Sequence, residues 1–217
     1  MKLLTVGDSF TYGEELADRM VAWPYLLGKM LGVEVTNLGR PSKSNNYITR
    51  QTIEYAQDYD LIVIAWSHFA RMEFADDHGI YELWPGCAGN LFKNEVEYRK
   101  NLLDYINRHH SDQYLYTQQL LNIILLQNYL KQNNKKYLML TSFNQNYGTL
   151  NTSNLRLSCQ SLLKQIDRTY YLGWTDDSMM EWTYRTPQGP NGHFLDEGHK
   201  IVADKIYEYI RNFGWVS

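Results

Sequence analysis

The sequence predicts an α/β domain in which a central parallel sheet is covered by helices on both faces, a three-layer sandwich. Short apolar runs alternate with helical patterns along the chain, which is how strand–helix–strand crossovers are written. One of those runs, Leu61-Ile-Val-Ile-Ala-Trp66, is continuously apolar, as befits a strand buried on both faces. Polar turn residues follow the strands directly, at Gly7-Asp8-Ser9, at 41–45 and at Ser67-His68. In an open parallel sheet the ligand site lies outside the carboxyl ends of the strands, so these three segments gather on one edge.

Leu3 to Val6 reads as the first strand, and 12–31 as a helical stretch interrupted at Trp23-Pro24. A second strand covers Glu34–Leu38, and the turn-rich segment Gly39–Asn46 leads into a helix over Tyr47–Tyr55. After the strand Leu61–Trp66 the stretch 74–92, with glycines, Trp84 and Pro85, lacks periodicity and predicts a long surface loop. Helices are expected over 93–109 and 112–133, the second apolar on more than one face and therefore well buried. A strand at Tyr137–Thr141 and a helix over 153–168 come next, and a last short strand at Tyr170–Leu172. The irregular stretch 173–195 precedes a final amphipathic helix, Ile201–Phe213.

The 217 residues fit one domain, 1–217, with a sizeable core. A net charge of −3 with intermixed signs lacks the basic stripe of a nucleic-acid binder. Cys87 and Cys159 form no disulfide framework and suit a reducing compartment. The apolar run at the N-terminus turns polar too early for a signal peptide, and nothing approaches the roughly 18 apolar residues of a membrane span. The expectation is a cytoplasmic protein, or one carried on a larger particle or released by lysis. The high tyrosine count, 18, matches what an AT-rich coding genome produces without functional pressure.

Ser9 sits where a strand ends and a helix begins, which suits either a helix cap or a nucleophile. A nucleophilic serine needs a base and a group that orients the base. Of the six histidines, His109 and His110 lie among polar residues, His78 in the long loop, and His68 directly after a strand. His193 and His199 bracket Asp196. Asp196 and His199, three residues apart in a turn entering a helix, are placed for a carboxylate to accept a hydrogen bond from the imidazole Nδ1. The alternative is that Asp196 caps the final helix. His193, Asp196 and His199 are also metal-ligand types, although their spacing is not that of common zinc hydrolases and no metal is expected.

Gly7-Asp-Ser-Phe-Thr-Tyr-Gly13 resembles the Gly-Asp-Ser signature of the SGNH, or GDSL-type, hydrolases, and Asp196-Glu-Gly-His199 resembles that family's Asp-x-x-His. Their order and separation, at opposite ends of the chain, also match. The resemblance implies a flavodoxin-like α/β/α fold and an esterase that needs no cofactor. It makes Ser9 the nucleophile, His199 the base and Asp196 the orienting carboxylate. Two oxyanion donors follow by likeness: the backbone N–H of Ser9 and that of the second-block residue, which falls on Ser42 counting from Asn37, or alternatively on Gly39. The third block departs from the family, because Ser67-His-Phe-Ala-Arg71 stands where Gly-x-Asn-Asp is expected. Ser67 or His68 then replaces the asparagine as donor, or the site works with fewer donors, at a cost on the order of 10²–10³ in turnover per donor. Arg71 and Glu73 are read as a pair at the site mouth.

Asn45, His68, Trp174 and Trp182 are the candidate substrate-binding residues, the tryptophans as rings for stacking at a loop edge or for packing the loop onto the body. The expected substrate is a small or carbohydrate ester, with O-acetyl sugars favoured by analogy with small relatives of the family; no nucleic-acid or membrane partner is expected. A catalytically weakened carbohydrate-binding protein on the same fold, a lipase or thioesterase, and a metal-dependent hydrolase are the alternatives.

Overall fold

The computed structural model describes residues 1–77, 79–83, 101, 104, 108, 111–143, 159–174 and 177–215. Its strands are β1 (Lys2–Val6), β2 (Glu34–Asn37), β3 (Leu61–Trp66), the hairpin pair β4 (Met72–Asp76) and β5 (Gly79–Leu83), and β6 (Lys136–Thr141). Four of them form a parallel sheet in the order β2–β1–β3–β6, with Leu3 opposite Leu61 and Ile62 opposite Tyr137. The helices are α1 (Ser9–Tyr12), α2 (Trp23–Leu31), α3 (Asn45–Tyr55), α4 (Asp112–Gln132), α5 (Gln160–Leu163), α6 (Met179–Thr183) and α7 (Asp196–Asn212).

Alternation along each strand divides the core in two. Leu3, Leu61, Val63, Ala65, Leu138 and Leu140 face α2 and α7, meeting Trp23, Leu27, Val202 and Ile206. Leu4, Val6, Ile62, Ile64, Trp66 and Met139 face α3 and α4, meeting Ile48, Leu120, Ile123 and Leu126. Each fully buried side chain of this size stabilises the fold by about 1.5–3 kcal/mol, which explains why the central strand β3 is apolar at every position. The chain leaves β1 through α2 toward β2, and leaves β3 through α4 toward β6 on the opposite face. The sheet therefore has its switch point between β1 and β3, and the crevice opens at the carboxyl ends of those two strands.

Several elements differ from the sequence reading. Trp23-Pro24 opens a helix rather than interrupting one, since proline in the first turn forfeits only an N–H that has no partner there. The described part of 74–92 belongs to the antiparallel hairpin β4–β5, not a loop. Glu82 of β5 accepts from the Ser44 N–H at 3.0 Å and pairs with Lys43 at 3.3 Å, which seats the hairpin at the start of α3. The expected strand at Tyr170–Leu172 is reduced to one bridge between Met139 and Tyr171. The last helix starts five residues early, at Asp196. The expected helix over 93–109 lies almost wholly outside the described residues, as do Cys87, His78, His109 and His110; of 153–168 only Gln160–Leu163 is described as α-helix. Among the described residues no helix is long and apolar enough to cross a membrane.

Candidate active site

At the end of β1 the chain turns sharply into α1, and the turn is organised by Asp8. Its fully buried carboxylate caps α1 by accepting the Phe10 N–H at 3.1 Å, and also accepts the Ser142 hydroxyl at 3.1 Å. Arg71 stands 3.6 Å away, with its guanidinium over the Phe143 ring. Ser67 leans toward the same carboxylate without reaching hydrogen-bond geometry. Burial pushes the Asp8 carboxyl up from its ordinary value, and Arg71 and the hydrogen bonds oppose the rise. Asp8 thus ties together the ends of β1, β3 and β6. The expected Arg71–Glu73 pair is not formed, because Arg71 turns inward to Asp8 and Glu73 pairs with Arg50.

The second block wraps closely on the first. Asn37 accepts from Thr5 Oγ1 at 3.2 Å and from the Gly39 N–H at 2.9 Å, and donates to the Thr11 carbonyl at 2.8 Å. Gly39 lies so near α1 that an added Cβ would stand 2.7 Å from the Tyr12 nitrogen. With its N–H held by Asn37, Gly39 is not a free backbone donor. Ser42 adopts φ 64°, the left-handed region that glycine favours, and neither its N–H nor that of Ser9 is donated to any group among the described residues. Asn45 and Ser67, expected at the substrate, instead clamp each other. Ser67 N–H donates to Asn45 Oδ1 at 2.9 Å and Asn45 Nδ2 donates to the Ser67 carbonyl at 3.2 Å, with both side chains buried. The Ser67 backbone donor is therefore occupied. His68 accepts the Ala70 N–H on Nδ1 at 3.1 Å, which leaves the ring proton on Nε2. Burial, with Arg71 adding to it, pushes this ring down to about 4, so it is a neutral imidazole.

Asp196 and His199 are not brought together. Asp196 is the exposed first residue of α7, where an acidic side chain complements the helix dipole; the N-cap itself is Leu195. His199 points into the core on the stripe shared with Val202, Ala203 and Ile206, is 1% exposed, and meets the Phe194 ring at 4.5 Å. Its Nδ1 accepts the Trp23 N–H at 3.1 Å, so it has no Nδ1 proton to give a carboxylate. Burial, then the neighbouring His193, pushes His199 down to about 3.

The imidazole–carboxylate pair of this edge is His193 with Glu15. His193 Nδ1 lies 2.7 Å from Glu15 Oε2, and the His193 N–H donates to the same oxygen at 3.1 Å. Asn191 donates its N–H and its amide to Oε1 at 2.8 and 3.2 Å. Burial works against the Glu15 charge, yet the Asn191 and His193 hydrogen bonds outweigh it and hold the carboxyl below its ordinary value. The His193 ring packs 4.9 Å from the ring of Phe10, the neighbour of Ser9, with Phe143 and Phe194 completing the aromatic cluster. No hydrogen bond joins Ser9 Oγ to either histidine. The sequence did carry a signal for His193: it precedes the helix in a Gly-containing turn, whereas His199 keeps helical register with the apolar stripe.

Trp174 and Trp182 pack the 173–195 segment onto the body. Trp174 meets Tyr171 edge-on at 5.0 Å beneath Arg168, and Trp182 lies under Lys205 of α7. A cavity of about 270 Å³ opens between α3 and α4, lined by Asn46, Arg71, Tyr114, Gln119 and Asn122. Gln119 is buried, and its Oε1 has no hydrogen-bond partner among the described residues.

These features sit on a known architecture. The chain is similar to the psychrotrophic esterase EstA from Pseudoalteromonas sp. at 12% identity, over 98% of this chain and 97% of that one, with a TM-score of 0.57. It is similar to the acetylxylan esterase Axe2 from Geobacillus stearothermophilus at 14% identity over 96% and 93% of the two chains, TM-score 0.56. A lipolytic protein of the G-D-S-L family from Veillonella parvula gives 13% identity over 96% and 97%, TM-score 0.50. The fold is that of the SGNH hydrolases. A family model described as "Family of unknown function (DUF6071)" matches residues 11–217, and the chain belongs to that family. No curated protein matches the sequence.

Proposed function

We propose that the protein is a serine hydrolase of carboxylic esters in which Ser9 is the nucleophile and His193, not His199, is the base. The observation that carries this reading is the position of His193, a half-buried imidazole packed on Phe10, the residue after Ser9 at the end of β1. In this reading the Ser9 proton passes to His193 Nε2 as Oγ bonds to the acyl carbon. The N–H groups of Ser9 and Ser42 hold the oxyanion. Collapse breaks the ester C–O bond, and the alkoxide takes the proton from Nε2. Water then adds to the acyl-serine by the same proton transfers, releasing the acid and restoring Ser9.

The alcohol is proposed to be polyhydroxylated, with an O-acetyl sugar as the substrate class. Support comes from the amide-rich cavity lined by Asn46, Arg71, Gln119 and Asn122, and from the acetylxylan esterase on the same fold. A fluorophosphonate probe tests the chemistry: stoichiometric labelling that vanishes in Ser9→Ala is expected, and an acetylated xylo-oligosaccharide should be cleaved faster than a nitrophenyl butyrate. Folded protein that stays unlabelled between about pH 6 and 9 overturns the reading. The occupied Ser67 N–H favours the second reading, a weakened carbohydrate-binding protein; it predicts acetylxylan binding by calorimetry without labelling.

A further inference from the structure

If His193 is the base, the family pattern would place its carboxylate three residues earlier, and that residue is Pro190, which has none. A carboxylate is nevertheless delivered to Nδ1 from the other end of the chain. Glu15 accepts hydrogen bonds from the Asn191 backbone and side chain and from the His193 backbone, with the His193 ring as its fourth contact. Two further features are local sacrifices for that placement. Glu15 holds φ 68°, a left-handed conformation costly for a residue with a Cβ. Gly189 leaves no room for a side chain, since a Cβ there would stand 2.6 Å from the Glu15 carboxyl carbon.

We propose that Glu15 is the positioning carboxylate for His193, supplied by the turn after the nucleophile instead of the segment before the histidine. The inference rests on the Ser9–His193 reading above. An ionised carboxylate only accepts hydrogen bonds, so its neighbour Nδ1 carries the ring proton and Nε2 keeps the lone pair that receives the serine proton. When that proton arrives, the imidazolium faces a negative charge already bound in place. The other titratable groups near the ring do not compete for Nδ1. Glu14 lies 3.5 Å from Nε2 and is 38% exposed, and His199 is tied to Trp23. Asp196 is exposed on α7 and does not pair with this ring.

The test measures the rate of Ser9 labelling by a fluorophosphonate, and its pH profile, in wild type, His193→Ala, Glu15→Gln, Glu15→Asp and Glu14→Gln. Glu15→Gln turns an acceptor into a group that can donate to Nδ1 and trap the wrong tautomer. A loss on the order of 10³–10⁴ is expected, with the acid limb of the profile moved to lower pH. Glu15→Asp should recover part of the rate, and Glu14→Gln should stay within about threefold. Should the Gln variant fail to fold, the wild-type ring itself is the readout: nitrogen-15 NMR must show the Nδ1–H tautomer of His193 with a hydrogen-bonded proton. An Nε2–H tautomer, or Glu15→Gln labelling at the wild-type rate with an unmoved profile, overturns the assignment of Glu15 while the serine hydrolase reading stands. A folded wild type that never labels overturns both.

Discussion

His199 Nδ1 accepts the backbone N–H of Trp23 across 176 residues of chain. Trp23 is the first residue of α2, whose N-cap, Ala22, offers no side-chain acceptor. The imidazole of α7 therefore serves as a remote cap for α2, and the two helices are joined where they pack. Replacing His199 with alanine orphans a buried N–H and empties part of the core. A stability loss of about 2–4 kcal/mol is expected by urea denaturation. Ser9 labelling per folded molecule should stay within about threefold. His193→Ala should do the reverse, with little change in stability and labelling reduced by on the order of 10³ or more. Equal loss of labelling in both variants would contradict this division of labour.

The burial of two histidines sets an acid limit on the fold. Burial holds His199 down to about 3 and His68 to about 4, whereas an unfolded histidine titrates near its ordinary value of about 6.5. Below that ordinary value the unfolded chain binds protons that the folded chain refuses, so stability is lost as pH falls from about 6.5 toward these folded values. Each group contributes a slope of about 1.4 kcal/mol per pH unit within that window. Asp8 acts oppositely, because burial raises its carboxyl and the folded state takes that proton first. Glu15, held low, adds its own loss further into acid. Comparing urea midpoints of wild type and His199→Asn at about pH 7 and 5 isolates one histidine. The variant should be less pH-sensitive over this interval, and an identical slope would mean that His199 is protonated in the fold.

The fold was legible because its period is simple. Leu61–Trp66 is buried on both faces and reads as a continuous apolar run, and all four sheet strands were found within two residues at each end. The Gly7–Ser9 turn was legible for the same reason, as an abrupt end to a strand. The surroundings of the two histidines were not. Three-residue spacing between Asp196 and His199 matched a motif, but the helical stripe His199, Val202, Ala203, Ile206 competed with it and prevailed. Glu15 could not be read from its neighbours at all, since its contacts lie 176 and 178 residues away. The Asn45–Ser67 clamp, too, is a tertiary contact, between the start of α3 and the end of β3.

That clamp has a measurable consequence. Asn45→Ala leaves the N–H and carbonyl of Ser67 buried and unpaired, and a loss of about 2–4 kcal/mol is expected in denaturant titrations. Asn45→Asp should be similarly harmful, because a carboxylate can accept from the N–H but cannot donate to the carbonyl. A change below about 0.5 kcal/mol in either variant would return Asn45 to the list of ligand-facing side chains.

Ser42 makes a prediction of opposite sign. A left-handed serine carries a cost of about 1–2 kcal/mol that glycine does not, partly offset by the greater freedom glycine loses on folding. Ser42→Gly should therefore be neutral or more stable by up to about 1 kcal/mol, and it should keep its N–H and the wild-type labelling rate. Ser42→Val should be clearly less stable, since a β-branched residue tolerates this conformation poorly. Destabilisation by the glycine variant would show that the serine hydroxyl, not the backbone, is what this position contributes.

Gly189→Ala probes Glu15 without touching Glu15, His193 or Ser9. The new methyl would lie 2.6 Å from the Glu15 carboxyl carbon and 2.8 Å from both of its oxygens. A flexible side chain would normally step aside at little cost, but this carboxylate is fixed by hydrogen bonds from Asn191 and His193 and by a backbone already at φ 68°. It cannot move by the needed ångström without breaking some of them, and the His193 ring loses its orientation with it. The expected result is a loss of about 1–3 kcal/mol in stability and a fall in Ser9 labelling of at least about tenfold, with the pH profile displaced in the same direction as in Glu15→Gln. The double variant Gly189→Ala with Glu15→Gln should label no more slowly than Glu15→Gln alone, because both changes disable one device. Additive losses would place the effect of Gly189 somewhere other than the carboxylate it faces.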